Sequence, residues 1–501
     1  MERGLHYGVG FPVEVVMQAS PAPAPRFSPS GLPVAALLLL GLVLRLIHLG
    51  SGLWYDEIQT LVEYARLPMG RILTEYPTTN HHLLYSVLAR ASTGLLGESG
   101  AALRLPAALL GTASLWAFWR LALKVTDRRE ALLGTLLLTV SYHHVWFSQN
   151  ARGYSGLLLF TLLGTTAFLR LLEDPRAGWP ALAWYSGCMA LAAYIHPTAV
   201  ALPAAHAILL GALAVTSRKA GARALWRPAA GLLLAGCMAL LLYAPVLGQV
   251  VKTVTAGNPQ GAETAWKSPV WLVLETARGL SVGLPGGWVT LASGVVVFAA
   301  GMASFFRKSP ALLWLLIGPA LVTAAIVLAL RHNLWPRFFF FSAGFAVLIA
   351  LRGGFAIART LFRARGPALA TAGAILAVLT SAAMLPRAWR PKQDFEAAAR
   401  FVDRERSPED AVVTVDLTVF PYREWLGRDW DVARSEAELE TIELGHRRTW
   451  LVYTFPVRLQ VVQPGIWNRL TARYRPAAEF PGTVGGGAIV IMVSPPTPPA
   501  R

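Results

Sequence analysis

Apolar runs long enough to cross a bilayer recur along this chain, and they limit its fold more than any other feature. A spanning helix needs roughly 20 such residues. The first run covers 32–49, and further runs fall near 103–123, 131–148, 154–172, 179–195, 198–215, 228–248, 287–306, 310–330, 335–351 and 367–385. Backbone groups in lipid must be satisfied internally, so such runs become helices, and their continuous rather than alternating pattern argues against a β-barrel. Composition agrees: of 501 residues 54% are hydrophobic and only 15% charged, where a soluble chain carries about 25%. The expected architecture is an all-α polytopic membrane protein of about eleven transmembrane helices.

The net charge of +17 does not call for nucleic acid. Lys and Arg gather in alternate connections: Arg120, Lys124, Arg128 and Arg129, then Arg170 and Arg176, then Arg218 to Arg227, then Arg307 and Lys308, then Arg352 to Arg365. The positive-inside rule makes that side cytoplasmic. The N-terminus is then inside, while loops 50–102 and 249–286 and the C-terminal region are outside. Cys188 and Cys237 both fall within spans, so no disulfide framework is implied. Residues 1–30, rich in Pro and Ala towards their end, read as disordered, and 31–388 as the membrane domain. From 389 to 501 the pattern changes to helix-like and strand-like segments, Asp394–Arg404, Ala411–Val415, Thr449–Tyr453 and Ala488–Val493. A small extracytoplasmic α/β domain is expected there, with Ser435 and Glu438 opening a helix as a capping box. In the second outer loop the polar stretch Thr253–Ser268 reads equally well as a mobile substrate lid and as a plain connector.

Polar clusters lie at the outer ends of the runs. Asp56 and Glu57 follow Trp54 and Tyr55 just after the first span, and carboxylates there are costly unless working or paired. Asn80-His81-His82 precedes an amphipathic helix that includes Tyr85. Adjacent histidines face different sides of a helix, so both cannot serve one metal; a divalent ion, if used, would need His81 together with Asp56 and Glu57. Gln149, Arg152 and Tyr154 fill a short connection, His196-Pro197 another, and Arg337 opens a span behind Trp335-Pro336. A guanidinium fork at headgroup level suits a lipid phosphate; a carboxylate suits removal of an acceptor proton. Acids and cations on one membrane face describe group transfer from a lipid phosphate to an acceptor outside the cytoplasm.

The set Trp54-Tyr55-Asp56-Glu57, Asn80-His81-His82-Leu83-Leu84-Tyr85, Ser148 to Tyr154, His196-Pro197 and Pro336-Arg337-Phe338 resembles the GT-C superfamily of polytopic glycosyltransferases. It is similar to the bacterial branch of glycosyltransferase family 39, related to protein O-mannosyltransferases and the lipid A aminoarabinose transferase. The resemblance covers about residues 30–385, and it departs locally: many relatives carry His-Pro-Pro where this chain has His81-His82-Leu83. It implies a polyprenyl-phosphate-linked sugar donor, a cell-envelope acceptor (lipid, glycan or protein), residence in a bacterial inner membrane, and a reaction on its outer side. It also implies that Asp56 is general base or orients the acceptor. On this reading Glu57 positions the acceptor or a metal. His81, His82, Tyr85, Gln149, Arg152, Tyr154, His196 and Arg337 bind substrate. No cofactor beyond that optional ion is expected. A flippase for lipid-linked glycans is the competing reading and would place polar groups at mid-depth; a structural envelope protein is a third, which leaves the acids and Arg152 without a role.

Overall fold

A computed structural model describes residues 32–174, 176–216, 225–256, 268–283 and 286–496. The stretch read as disordered, 1–30, and most of the lid stretch, 257–267, lie outside the described residues. The membrane part opens with α1 (Leu32–Leu46), followed by α2 (Tyr55–Gln59), α3 (Met69–Thr74) and α4 (Leu83–Leu96) in the first long connection. Then come α5 (Gly100–Val125), α6 (Arg128–Thr139), α7 (Tyr142–Ser148), α8 (Tyr154–Glu173), α9 (Trp179–Ile195) and α10 (Ala201–Thr216). The second half holds α11 (Trp226–Tyr243), α12 (Leu247–Thr255), α13 (Pro269–Val282), α14 (Trp288–Lys308), α15 (Pro310–Ala329), α16 (Ala343–Phe362) and α17 (Gly366–Ala388).

Among the described residues, seven helical stretches are long and apolar enough to cross a membrane, so the expected eleven spans are not confirmed. The reasons are local. Helix α1 is only 15 residues long. The run 131–148 breaks because Ser141 accepts the His144 N–H and caps a new helix, α7. The last two runs join through tight turns into one stretch, Pro336–Ala388.

The centre of the bundle is α8, 72% of whose most apolar window is buried; that of α14 is only 11% buried. Helix α14 leaves Val289, Val295, Val296 and Phe306 exposed, as a lipid-facing surface does. It still packs closely on α16: a Cβ at Gly301 would come within 1.9 Å of Ile349 O, and one at Gly353 within 1.8 Å of Val297 O. Small residues of this kind let helices approach where no hydrophobic force drives them together. The basic turns meet at one end of the bundle. There Lys308 Nζ donates to Val125 O (2.8 Å), Arg352 pairs with the buried Glu130 (3.1 Å), and Lys124 pairs with Glu173.

The C-terminal part is an α/β unit. It contains α18 (Phe395–Glu405), β1 (Ala411–Thr414), β2 (Asp431–Val432), α19 (Glu436–Gly445), β3 (Thr449–Tyr453), α20 (Pro456–Val462), α21 (Pro464–Arg473), β4 (Arg475–Phe480) and β5 (Ile489–Val493). The strand order is β2-β1-β3-β5-β4. Strand β1 runs parallel to β2 and β3, with Val413 opposite Leu451; β5 runs antiparallel to β3 and β4. Ser435 caps α19 by accepting the Glu438 N–H, as its spacing predicts. Strand β4 has no apolar run to betray it, and its Pro476 is tolerated because the strand lies at the sheet edge.

Candidate active site

The two acids that follow α1 have opposite fates. Successive residues on a helix point about 100° apart, and Trp54 starts α2 immediately before them. Glu57 turns inward and is fully buried. Its Oε1 accepts from Arg104 Nε (2.7 Å) and its Oε2 from Arg104 Nη2 (2.5 Å). Oε1 also accepts the Ala151 N–H at 2.8 Å. Burial pushes the Glu57 carboxyl up, but Arg104, Lys392 and the Ala151 N–H outweigh it and hold the group below the usual carboxylate range. The rest of Arg104 donates to the carbonyls of Leu49 (2.9 Å), Ser51 (2.7 Å) and Gly52 (2.8 Å). This pair ties the loop after α1 to the first turn of α5.

Asp56 turns the other way, into a cavity of about 1070 Å³. Its Oδ2 accepts from Arg337 Nη1 at 3.2 Å. Arg337 is set by the tight turn Pro336–Ser342 and lies 5.3 Å over the Trp335 ring; its Nε has no partner. Arg152, from the connection between α7 and α8, lines the same cavity. Its Nη2 donates to Asn80 Oδ1 and lies 3.1 Å from His82 Nε2, while Nε and Nη1 have no partner although buried.

The contact with His82 carries chemical information. The Gly153 N–H donates to His82 Nδ1 at 2.8 Å. Burial and the Arg152 guanidinium drive the His82 pKa well below its ordinary value, so the ring is neutral. A neutral imidazole has one proton, and here it must sit on Nε2. His82 Nε2 and Arg152 Nη2 therefore meet donor to donor, and an anionic oxygen between them would satisfy both. His196 packs 4.6 Å from His82 and 5.4 Å from Tyr154, ring to ring, with Phe338 5.7 Å beyond. Farther along, Leu240, Val250, Ile326, Val327 and Leu330 line the cavity with hydrocarbon.

Of the ten residues singled out from the sequence, Asp56, His82, Arg152, Tyr154, His196 and Arg337 line this cavity. Four do not. Glu57 belongs to Arg104. His81 stacks on Tyr64 (4.2 Å) with Nδ1 3.1 Å from Glu75 O, and burial pushes its pKa down to about 4. The buried Tyr85 donates to Leu103 O (2.8 Å), and Gln149 Nε2 donates to the carbonyls of Arg45 (3.0 Å) and Ile47 (2.5 Å). Glu57, expected to position the acceptor or a metal, and His81, Tyr85 and Gln149, expected to bind substrate, thus lie outside the cavity lining, with polar atoms engaged by the chain itself. Among the described residues no three His, Cys, Asp or Glu side chains gather as ion ligands, so Asp56, Glu57 and His81 do not converge on a metal site.

Three supporting residues were not singled out from the sequence. Arg104 was legible only as a lone cation inside an apolar run. Lys392 and Gln393 lie just past the last span. Gln393 Oε1 accepts the Tyr55 N–H (3.1 Å), and its Nε2 donates to Thr454 Oγ1 at the end of β3 (3.1 Å). Lys392 Nζ donates to Gln149 O (2.7 Å) and sits 5.1 Å from the Trp146 ring centroid. Burial pushes Lys392 down to about 7 against the pull of Glu57.

A model of the dolichyl-phosphate-mannose-protein mannosyltransferase family matches residues 80–248, which hold His82, Arg152, Tyr154 and His196. Among solved structures, ArnT from Cupriavidus metallidurans in the apo state aligns with a TM-score of 0.53 at 14% identity, over 93% of this chain and 98% of that one. The same protein bound to undecaprenyl phosphate gives 0.52, with the same identity and coverage. The Archaeoglobus fulgidus oligosaccharyltransferase in complex with Zn and sulfate gives 0.51 at 12% identity, over 91% of this chain and 72% of that one. The chain has the GT-C glycosyltransferase fold. The family match indicates the class of enzyme, a glycosyltransferase. No curated protein matches the chain in sequence.

Proposed function

We propose that this glycosyltransferase moves a sugar from a polyprenyl-phosphate donor to an acceptor hydroxyl of a cell-envelope lipid, glycan or protein, on the outer face of a bacterial inner membrane, with inversion. The observation that carries the reading is the buried, part-paired Arg152 in one cavity with the Asp56–Arg337 pair. The donor phosphate occupies the gap between Arg152 and His82 and draws on Arg337, and the prenyl chain follows the apolar wall. Engaging Arg337 releases Asp56 Oδ2 to accept the acceptor's proton. The acceptor oxygen then bonds to the anomeric carbon from the face opposite the phosphate. The bond from that carbon to the phosphate oxygen breaks, and its electron pair stays on the phosphate, where the two guanidinium groups stabilise the growing charge. The basic turns gathered at the far end of the bundle support a cytoplasmic position for that end, by the positive-inside rule, and an outer one for the cavity. Neither the fold nor the family match supports a flippase.

The test incubates the purified protein in lipid with a panel of polyprenyl-phosphate sugars and an envelope extract as acceptor, following release of free polyprenyl phosphate by mass spectrometry. Release by wild type and none by Asp56→Asn is the expected outcome. An active Asp56→Asn protein removes Asp56 as base.

A further inference from the structure

The cavity contains two residues that phosphate binding and proton transfer leave unused. Tyr76 is 1% exposed, and its hydroxyl has no hydrogen-bond partner. Asn333 is 2% exposed, and neither its Oδ1 nor its Nδ2 has a partner. Both residues line the cavity that holds Asp56 and Arg152. Buried polar atoms are rarely left unpaired, and each that is calls for an explanation.

Both residues are held in place by their backbones. The Tyr76 N–H donates to Gln249 Oε1 (2.7 Å), and Gln249 Nε2 donates to Thr74 O (2.8 Å), which fixes the first outer loop against α12. Asn333 O accepts the Trp335 N–H (3.1 Å) in the same turn that delivers Arg337 to Asp56. The neighbouring His332 Nε2 meets Val254 O at 2.7 Å. Neither side chain holds its loop in place, so neither is explained by folding alone.

The groups on offer are a phenol and a carboxamide, both neutral and both able to donate and accept. They complement alcohol hydroxyls. The charge around them points the same way. Among the described lining residues Asp56 is the one carboxylate, and it is already paired with Arg337, while Arg152, Lys252 and Arg337 are cations. An ammonium group on a sugar would meet an excess of cations, and the single carboxylate there is the one the reading above reserves for the acceptor's proton.

We infer that Tyr76 and Asn333 read the hydroxyls of the transferred sugar, and that this sugar is uncharged and not an amino sugar. The inference rests on the donor reading above and adds the class of sugar and the residues that select it. A site built to hydrogen-bond hydroxyls rejects an analogue that leaves its polar groups unpaired.

The experiment measures binding of four lipids to the full-length protein in nanodiscs: undecaprenyl phosphate, and the same lipid carrying glucose, an aminopentose or glucuronic acid. Wild type should bind the glucosyl lipid at least about tenfold tighter than the bare lipid, as one or two well-made polar contacts allow, and the aminopentosyl lipid no tighter than the bare one. Tyr76→Phe and Asn333→Leu should erase the glucosyl advantage while binding bare lipid as wild type does, which also reports that they are folded. Asn333→Asp should shift preference towards the aminopentosyl lipid. Preference of wild type for a charged sugar, or equal losses for bare and glucosyl lipid in the variants, overturns the inference alone. Failure of wild type to bind bare undecaprenyl phosphate overturns the donor reading, and this one with it.

Discussion

Arg104 and Arg152 are both 2% exposed. Arg104 spends its donors on a carboxylate and three carbonyls of its own chain. Arg152 has one donor on Asn80, one opposed to another donor, and two nitrogens with nothing to bind. The first is an interaction the fold has completed. The second is one the fold leaves open. Burial alone does not separate the two arginines; the tally of partners does, and on the proposed reading the open one takes the donor phosphate.

The largest effect that tests this contrast is on turnover. Arg152→Met should lower transfer by about 10³-fold, the scale for losing a preorganised donor at developing negative charge, with thermal stability unchanged or improved. Arg152→Lys should keep the charge and lose the fork, recovering only part of the rate. A drop in melting temperature matching that of an Arg104 variant would erase the distinction.

Arg104→Met should act through stability first. It strands the buried Glu57 carboxylate, and breaking a buried pair from one side costs about 3–5 kcal/mol. Adding Glu57→Leu should restore much of the folded yield, because replacing a whole buried pair is far milder than halving it. Thermal unfolding in detergent checks both variants.

The next effect is on pH. His81 is held neutral down to about 4 and His82 well below its ordinary value, both mainly by burial, whereas in the unfolded chain they protonate near 6.5. Below that point the unfolded state binds more protons than the folded one. Stability should therefore be full above about pH 6.5 and fall as pH drops towards 4, by up to about 1.4 kcal/mol per pH unit for each ring. His81→Phe keeps the stack on Tyr64 and should flatten part of that slope in melts run from pH 4 to 7.

The smallest effect is expected at Gln393. Gln393→Leu removes a bond to the backbone beside Asp56 and should reduce kcat a few-fold, leaving donor binding intact. An equal change in donor affinity would show that the amide supports the bundle generally.

The residue pattern carried the bundle because hydrocarbon length is a one-dimensional property. It carried the cavity residues less evenly. Asp56, Arg152 and Arg337, which line the cavity, stood out because charge at the edge of lipid needs a reason. Glu57 was grouped with Asp56 because adjacency suggests a shared task, while a helix points neighbours to different places. His81 was grouped with His82 in the same way. Arg104 stayed hidden because its meaning is its partner, 47 residues away. Tyr76 and Asn333 could not be seen at all, since what marks them is the absence of a partner after folding. The break at Ser141 and the strand β4 are failures of another kind, where one side chain or an edge position overrides the apolar pattern.

The amide of Gln393 also bears on how such enzymes can be recombined. It lies past the last span, where a composition change would place a border near residue 389, yet it touches both the backbone beside Asp56 and the end of β3. A graft of a foreign C-terminal sheet at 389 would replace Lys392 and Gln393 with whatever the donor carries and loosen Asp56. A junction placed after Gln393, with a hydroxyl retained at position 454, should keep Asp56 in register. Exchange of the C-terminal unit is then limited less by its own fold than by two residues that precede it.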